Sequence, residues 1–274
     1  MGRETIGGIK KIALENLREL YFLARATALY CFNSGIRYDE NDPKTYPIII
    51  LSYNQLYYLK QLVSFLHEAN YHNIVIIDNA STYPPLLDYL DEIGKKVKVH
   101  KLKNNYGHMV FWRRKEFFYR YAGGYYAVTD PDVLPDENCP EDFLSYFKNV
   151  LEREKKVTKV GFSLNINNIP DENFNKETIL KWEKKFWNRE DVEGNFIAEI
   201  DTTFALYRPN NYDAIKSNFL GAIRTKPPYI ATHGGWNVKS KKLTNEQKFY
   251  FSSSSKSSSW KVDDNGKLIS KKYN

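Results

Sequence analysis

The sequence predicts an α/β protein built on a parallel, Rossmann-like sheet. Short apolar, β-branched runs recur between residues 46 and 130, helical patterns separate them, and polar residues stand where the runs end. In such sheets a ligand sits beyond the carboxyl ends of the strands, so those polar ends are the first place to look for chemistry.

The elements follow in order. Residues 9–32, "IKKIALENLRELYFLARATALYCF", read as a helix with Ile12, Leu14, Leu17, Leu20 and Leu23 among its apolar positions. Its Lys10, Lys11, Arg18 and Arg25 leave two readings open: packing on the main domain, or peripheral contact with an anionic membrane. "NDPKTYP" then punctuates the chain, and "PIIILS" (47–52) reads as a buried strand. A helix over 55–69 carries Leu56, Leu59, Leu62, Val63 and Leu66 on one stripe. "NIVIIDNAS" (73–81) and "KVKVHKL" (96–102) read as strands, "VFWRRKEFFYRYA" (110–122) as one helix, and "YYAVTD" (125–130) as a fourth strand. The second half is less regular: a strand at 158–164, a helix over about 176–187, a β element in "FIAEIDTTFALYRP" (196–209), then "PPYIATHGGWN" (227–237). The stretch "SSSSKSSS" (252–259) marks a flexible or loosely docked tail.

Composition narrows the function. The chain has 274 residues, 42% hydrophobic and 15% aromatic, which suits one large packed domain with appendages. Twenty-one tyrosines and sixteen phenylalanines fit a groove for sugars or bases, and equally a Tyr-rich core. A net charge of +7 favours anionic partners such as nucleotides or phosphorylated carriers. The lysines are scattered without the dense block of a nucleic-acid arm, so nucleic acid is not an expected partner. Cys31 and Cys139 are the only cysteines, and no CxxC occurs. With no apolar run of about 18 residues and no signal-peptide pattern, a cytoplasmic setting is expected, with peripheral contact at the membrane's inner face left open.

"YYAVTDPDVLPDENCPEDF" (125–143) concentrates acid at the end of a buried run in a basic protein. Residues i and i+2 of extended backbone point the same way, and Pro131 biases Asp130 towards that backbone. Asp130 and Asp132 can therefore face one side, where they repel unless a cation or hydrogen-bond donors intervene. A hard divalent ion needs only one or two protein carboxylates when substrate phosphates supply further oxygens. The plainer reading is an ordinary turn, for which Asp and Pro are common residues. Other polar strand ends are Ser52, Tyr53 and Asn54 after the first run, and Asp78 and Asn79 after the second. Arg113 and Arg114 can act as fork-like donors to a diphosphate, though helix geometry lets only one of them face it.

The ordered set "ILSYN", "VIIDNAS", "NNYG" and "AVTDPDVLP" resembles nucleotide-sugar glycosyltransferases of the GT-A fold, especially family 2, over roughly residues 46–145. The resemblance implies a mixed, mainly parallel central sheet flanked by helices, with an N-terminal helical extension at 1–45. A catalytic domain would span 46–240, its nucleotide-binding half 46–135 and its acceptor half 136–240, followed by a tail at 241–274. It also implies site residues. Asp78 would bind the base, with Asn79 beside it; Asn105 and Gly107 would lie near the nucleotide. Ser52 and Asn54 would flank the nucleoside, Asp130 would contact ribose or metal, and Asp132 would hold the metal. The family often writes Asp-Asp or Asn-Asp followed by Gly-Ser or Ala-Ser, whereas this chain has Asp78-Asn79-Ala80-Ser81, which loosens the assignment of Asp78.

Sugar transfer with inversion needs a base for the acceptor hydroxyl. Asp201 resembles that base by its distance past the acidic pair; a local backbone hydrogen bond is the plainer reading, and Glu183 is the alternative base. His233 in "THGGW" resembles the late histidine that completes metal coordination in many GT-A enzymes, and imidazole suits Mn²⁺ better than Mg²⁺. Trp182 and Trp236 are candidate walls for acceptor or sugar, Trp236 equally a core anchor. The expected activity is metal-dependent transfer, with Mn²⁺ or Mg²⁺, from a UDP-, GDP- or dTDP-sugar to a glycan or lipid-linked acceptor. Surface polysaccharide assembly would be its setting. Alternatives are a nucleotide-sugar-binding protein without catalysis, and a phosphotransferase or phosphatase using Asp130 as nucleophile.

Overall fold

The computed structural model describes residues 39–209, 221–254, 260–263 and 265–269. The helix expected over 9–32, Cys31 and residues 255–259 of the serine-rich stretch lie outside the described residues.

Each apolar run of the first half forms a strand: β1 Ile48–Ser52, β2 Ile74–Asp78, β3 Lys98–Lys101 and β4 Tyr126–Thr129. These lie parallel in the order β3-β2-β1-β4. β1 and β2 are buried along their whole length because both sheet faces are covered. Strand alternation sorts the side chains. Ile48, Ile50, Ile74 and Ile76 join a core with Leu59, Leu62 and Leu66 of α1 (Tyr57–Glu68) and Leu86 and Leu90 of α2 (Pro84–Ile93). Ile49, Leu51, Val75 and Ile77 pack on the opposite face with Phe111, Phe117, Phe118 and Tyr121.

The single helix expected over 110–122 divides into α3 (Val110–Arg113) and α4 (Lys115–Tyr121). Arg114 between them has ψ 85, outside the helical range. Its Nε donates to Glu116 Oε1 at 2.7 Å and its guanidinium lies 4.6 Å from the Tyr106 ring centre. Residues two apart diverge on a continuous helix, so this pairing accompanies the break.

The second half adds β5 (Val133–Pro135), α5 (Phe143–Arg153), β6 (Lys159–Leu164), α6 (Lys176–Glu183), β7 (Phe196–Ile197), β8 (Ala205–Tyr207), β9 (Ala222–His233) and α7 (Asn245–Ser253). The sheet continues β4-β8-β6-β9-β5, with β7 on β9, giving nine strands among the described residues. β8 runs antiparallel to β4 and β6, while β6 and β9 are parallel. This is the expected mixed α/β sheet flanked by helices.

Three departures shape the site. The β element expected over 196–209 is interrupted, leaving 198–204 without ladder partners of its own between β7 and β8. β6 and β8 approach so closely that a Cβ on Gly161 would lie 2.3 Å from Phe204 O. β9, over a stretch to which the sequence assigns no element, contains Pro227 and Pro228; they fall where its register to β6 shifts between Phe162/Thr225 and Ser163/Ile230, so the ladder loses nothing to them.

The third departure is α7, formed where a loose tail is expected. Thr244 and Gln247 close a capping box at its start. Glu246 Oε1 accepts from the backbone N–H groups of Leu56 and Tyr57, each at 3.0 Å, at the start of α1. Tyr53 Oη donates to Ser253 O at 2.9 Å, and Phe249 meets Tyr83 at a ring separation of 5.1 Å. Among the described residues, no helix is long and apolar enough to cross a membrane.

Candidate active site

A cleft of about 860 Å³ opens at the ends of β1 and β4, with α7 and the segment before it as one wall. Ser52, Asn79, Asn105 and Gly107 line it, and so do Asp130 and Asp132. Trp182, Glu183, Asp201, His233 and Trp236, from the second half of the chain, line the same space. Asn54, Asp78 and Arg113 do not.

Those three act through loops. Asn54 Oδ1 accepts from the N–H groups of Thr82 and Tyr83 at 2.7 and 3.0 Å, and its Nδ2 donates to Ser253 Oγ at 2.9 Å. The side chain is thus engaged in tying β1 to the loop after β2 and to α7. Asp78 Oδ1 accepts from Ser81 N–H at 3.2 Å inside the turn that follows β2; burial pushes this carboxyl above its ordinary range, against the hydrogen bonds from Ser81. Arg113 Nη1 donates to Tyr106 O at 2.7 Å, and so shapes the loop of Asn105 and Gly107. In that loop Asn79 Nδ2 donates to Asn105 Oδ1 at 2.9 Å, while Asn79 Oδ1 accepts from Tyr106 N–H at 2.8 Å. Gly107 has φ 77, the left-handed region open to glycine.

Asp130 stands one residue past β4. Its carboxylate accepts from Thr202 Oγ1 at 2.5 Å, and its N–H donates to Thr202 O at 3.0 Å. Burial holds the Asp130 carboxyl well above the ordinary range; Asp132 and Asp201 add to this, and only the Thr202 hydroxyl opposes them. The buried Asp132 follows across Pro131. Among the described residues, the only basic side chain within 4 Å of Asp130 or Asp132 is His233, whose Nδ1 lies 3.8 Å from Asp132 Oδ2. That Nδ1 accepts from Gly235 N–H at 3.0 Å, so the neutral ring carries its proton on Nε2. Trp236 is buried and stacks on His233 with ring centres 4.8 Å apart, fixing the imidazole plane from behind. Gly234 is needed for packing: a Cβ there would lie 2.4 Å from the Tyr58 ring.

The two base candidates differ in setting. Asp201 is exposed in the irregular segment before β8, with Oδ1 accepting from Thr203 N–H at 3.3 Å. Glu183 is buried and forms an ion pair with Arg224. Burial pushes its carboxyl up while Arg224 pulls it down. Trp182 has Lys185 Nζ 3.3 Å above its ring centre. Sequence reasoning missed the Thr202–Asp130 bond, Tyr58, and the whole α7 wall. The threonine pair after Asp201 was the one signal present for the first.

Could a divalent ion fit? Among the described residues no three metal-ligating side chains converge on one point. The acidic pair supplies two carboxylates without a Lys or Arg partner, a donor set suited to an ion completed by phosphate oxygens and water.

No protein-family model matches the chain. An uncharacterized protein of Acanthamoeba polyphaga mimivirus is 27% identical over 188 residues, 65% of this chain and 36% of that protein. The chain therefore spans about a third of that relative's length. Solved structures with a similar course include a mannosyltransferase of Pyrobaculum calidifontis in complex with GDP-Man and Mn²⁺, at 14% identity and TM-score 0.44, over 89% of this chain and 70% of that one. Another is glucosyl-3-phosphoglycerate synthase of Mycobacterium tuberculosis with phosphoglyceric acid, at 9% identity and TM-score 0.42, over 72% and 76% of the two chains. A third is S. aureus TarS, at 17% identity and TM-score 0.40, over 63% and 48%. These likenesses are too loose to transfer a substrate or an activity. By its own strand order the chain is a mixed α/β domain with a cleft at the ends of its parallel strands.

Proposed function

We propose that this protein transfers a sugar from a nucleoside-diphosphate sugar to an acceptor hydroxyl, with a divalent ion held at Asp130 and Asp132. The observation that carries this reading is the pair of carboxylates at the end of β4: Asp130, half-buried and supported by the Thr202 hydroxyl, stands with Asp132 on the cleft without a Lys or Arg partner among the described residues, and Asp132 adds to the cost of its charge. A cation between the two side chains removes that penalty, and a diphosphate is the anion that such a cation recruits.

The ion, when bound, would offset charge that builds on the departing diphosphate. Asp130 and Asp132 would hold it; His233 borders Asp132, and its Nδ1 would have to give up the Gly235 N–H bond to join them. Ser52, Asn79, Asn105 and Gly107 line the cleft where they can take the nucleotide. Asn54, Asp78 and Arg113 are assigned to supporting those loops. Asp201, exposed and without an ion-pair partner among the described residues, is the better base for the acceptor proton, giving inversion. Glu183 is occupied by Arg224. Trp182 stands at the acceptor side of this assignment, with Trp236 orienting His233.

The test is a panel of UDP-, GDP- and dTDP-sugars with Mn²⁺, Mg²⁺ or a chelator, read as release of nucleoside diphosphate and as melting temperature. Expected is metal-dependent release from one nucleotide class, lost about a hundred-fold or more in Asp132→Asn. Asp201→Asn should keep the melting shift given by nucleotide and Mn²⁺ and lose about 10²–10⁴-fold in transfer. If no nucleotide shifts melting with either metal, the donor-site reading is wrong. A shift without turnover, given any acceptor, would make the chain a binding protein.

A further inference from the structure

We infer that Lys159 and Arg224 are positioning residues for this reaction: Lys159 from behind the cleft and Arg224 from its wall fix the irregular segment that carries Asp201 and Thr202. The inference rests on the reading of Asp201 given above.

Segment 198–204 has no ladder of its own, so its buried carbonyl groups need donors from elsewhere. Four have them. Glu199 O accepts from Arg224 Nε at 2.8 Å and Ile200 O from Lys159 Nζ at 2.5 Å. Thr202 O accepts from Asp130 N–H at 3.0 Å and Phe204 O from Phe162 N–H at 3.1 Å. The two carbonyls immediately before Asp201 are therefore held by side-chain cations, and the next pair by the backbone of β6 and of Asp130. The buried Ile200 pins the chain between them.

Neither cation is a solvated surface charge. Lys159 is 2% exposed, and Arg224 is 4% exposed. Lys159 Nζ lies 5.4 Å from the Tyr207 ring centre. Burial brings the Lys159 ammonium down to about 8, while the charge of Asp201 acts to raise it. Arg224 is gripped by Glu183 and lies 4.0 Å from the Phe186 ring centre. Burying such groups is costly, and well-packed apolar side chains are often as stable or more so. What these cations supply is direction: a donor aimed at one carbonyl each, from the neighbouring parallel strands β6 and β9. Glu183 then has a role other than base, because it sets the Arg224 guanidinium so that Nε meets Glu199 O.

Lys159→Met and Arg224→Lys, made in the full chain, test this. The lysine in Arg224→Lys can still neutralise Glu183, but its N–H groups share one nitrogen and cannot reproduce the fork by which Nε meets Glu199 O while Nη1 meets Glu183. Both variants should keep the melting shift given by nucleotide and Mn²⁺, with donor KM within about two-fold of wild type. Their kcat should fall about ten- to a hundred-fold, the cost of a base displaced by an ångström or less. A folded variant with wild-type kcat overturns the inference, and so does a rise in KM alone. If neither variant folds, the two cations serve folding and the inference also falls. Failure of the parent reading looks different, since wild type itself would then turn over no nucleotide sugar.

Discussion

Asp130 is held at the end of β4 by Thr202, beside two other carboxylates, and its charge is the least favourable one at the site. Its folded-state pKa lies above the unfolded value, so the folded chain binds the extra proton and ionisation of Asp130 works against stability. That cost is absent at pH values below the ordinary Asp pKa and grows as pH rises through the folded value. Asp130→Asn should therefore raise the melting temperature of metal-free protein near neutral pH, an advantage that shrinks as the buffer is taken towards pH about 4. The same variant should abolish turnover. An Asn variant less stable than wild type at neutral pH would show that the carboxyl is not strained. Asp130 and Asp132 were legible because an apolar run ending in two acids is a local signal. The setting of Asp201 was not, because "FIAEIDTTFALYR" has the composition of a strand while its path is set by Lys159 and Arg224, 42 and 23 residues away in sequence. Asn54 shows the converse. Its position after β1 was legible, but not that Thr82, Tyr83 and Ser253 would consume its hydrogen-bonding groups.

Among elements, the β6–β8 contact is the tightest constraint on the catalytic segment. Gly161→Ala would push a methyl into Phe204 O and Ala205, and should destabilise the fold by about 1–3 kcal/mol, measured by urea unfolding. The contact of α7 with α1 is built differently, on one carboxylate satisfying two N–H groups. Glu246→Ala should cost about 1–2 kcal/mol and raise donor KM more than it lowers kcat, as unfolding and kinetics would show. Unchanged stability would mean that the helix docks through its rings and the bonds of Ser253 to Tyr53 and Asn54. β1, β2, α1 and α6 were legible because period and burial agree there. β9 was not, since two prolines mask a strand whose ladder is interrupted at that point anyway. α7 lacks a clear apolar stripe, and its docking depends on partners about 190 residues upstream.

For the molecule as a whole, the chain carries a net charge of +7, while its cleft is lined by Asp130, Asp132 and Asp201. Such a net charge draws anions from a distance, yet beside those carboxylates only a cation is welcome. Raising salt from about 50 to 500 mM should increase the apparent donor KM several-fold with little change in kcat, because screening weakens the long-range term. A KM indifferent to salt would remove the basic surface from the account. The mixed sheet was legible at this scale from the alternation of strands and helices in the first half, while the antiparallel insertion of β8 depends on pairing that no local pattern announces. One further consequence belongs to the docking of residues 245–253 over the mouth formed by residues 53–58. During synthesis the parallel block and both acids emerge first, but the cleft stays open on one side until this late helix has left the ribosome. A nascent chain stalled before it should hold most of its sheet while lacking a finished binding chamber, so the cleft is complete only once residues 245–253 have been made.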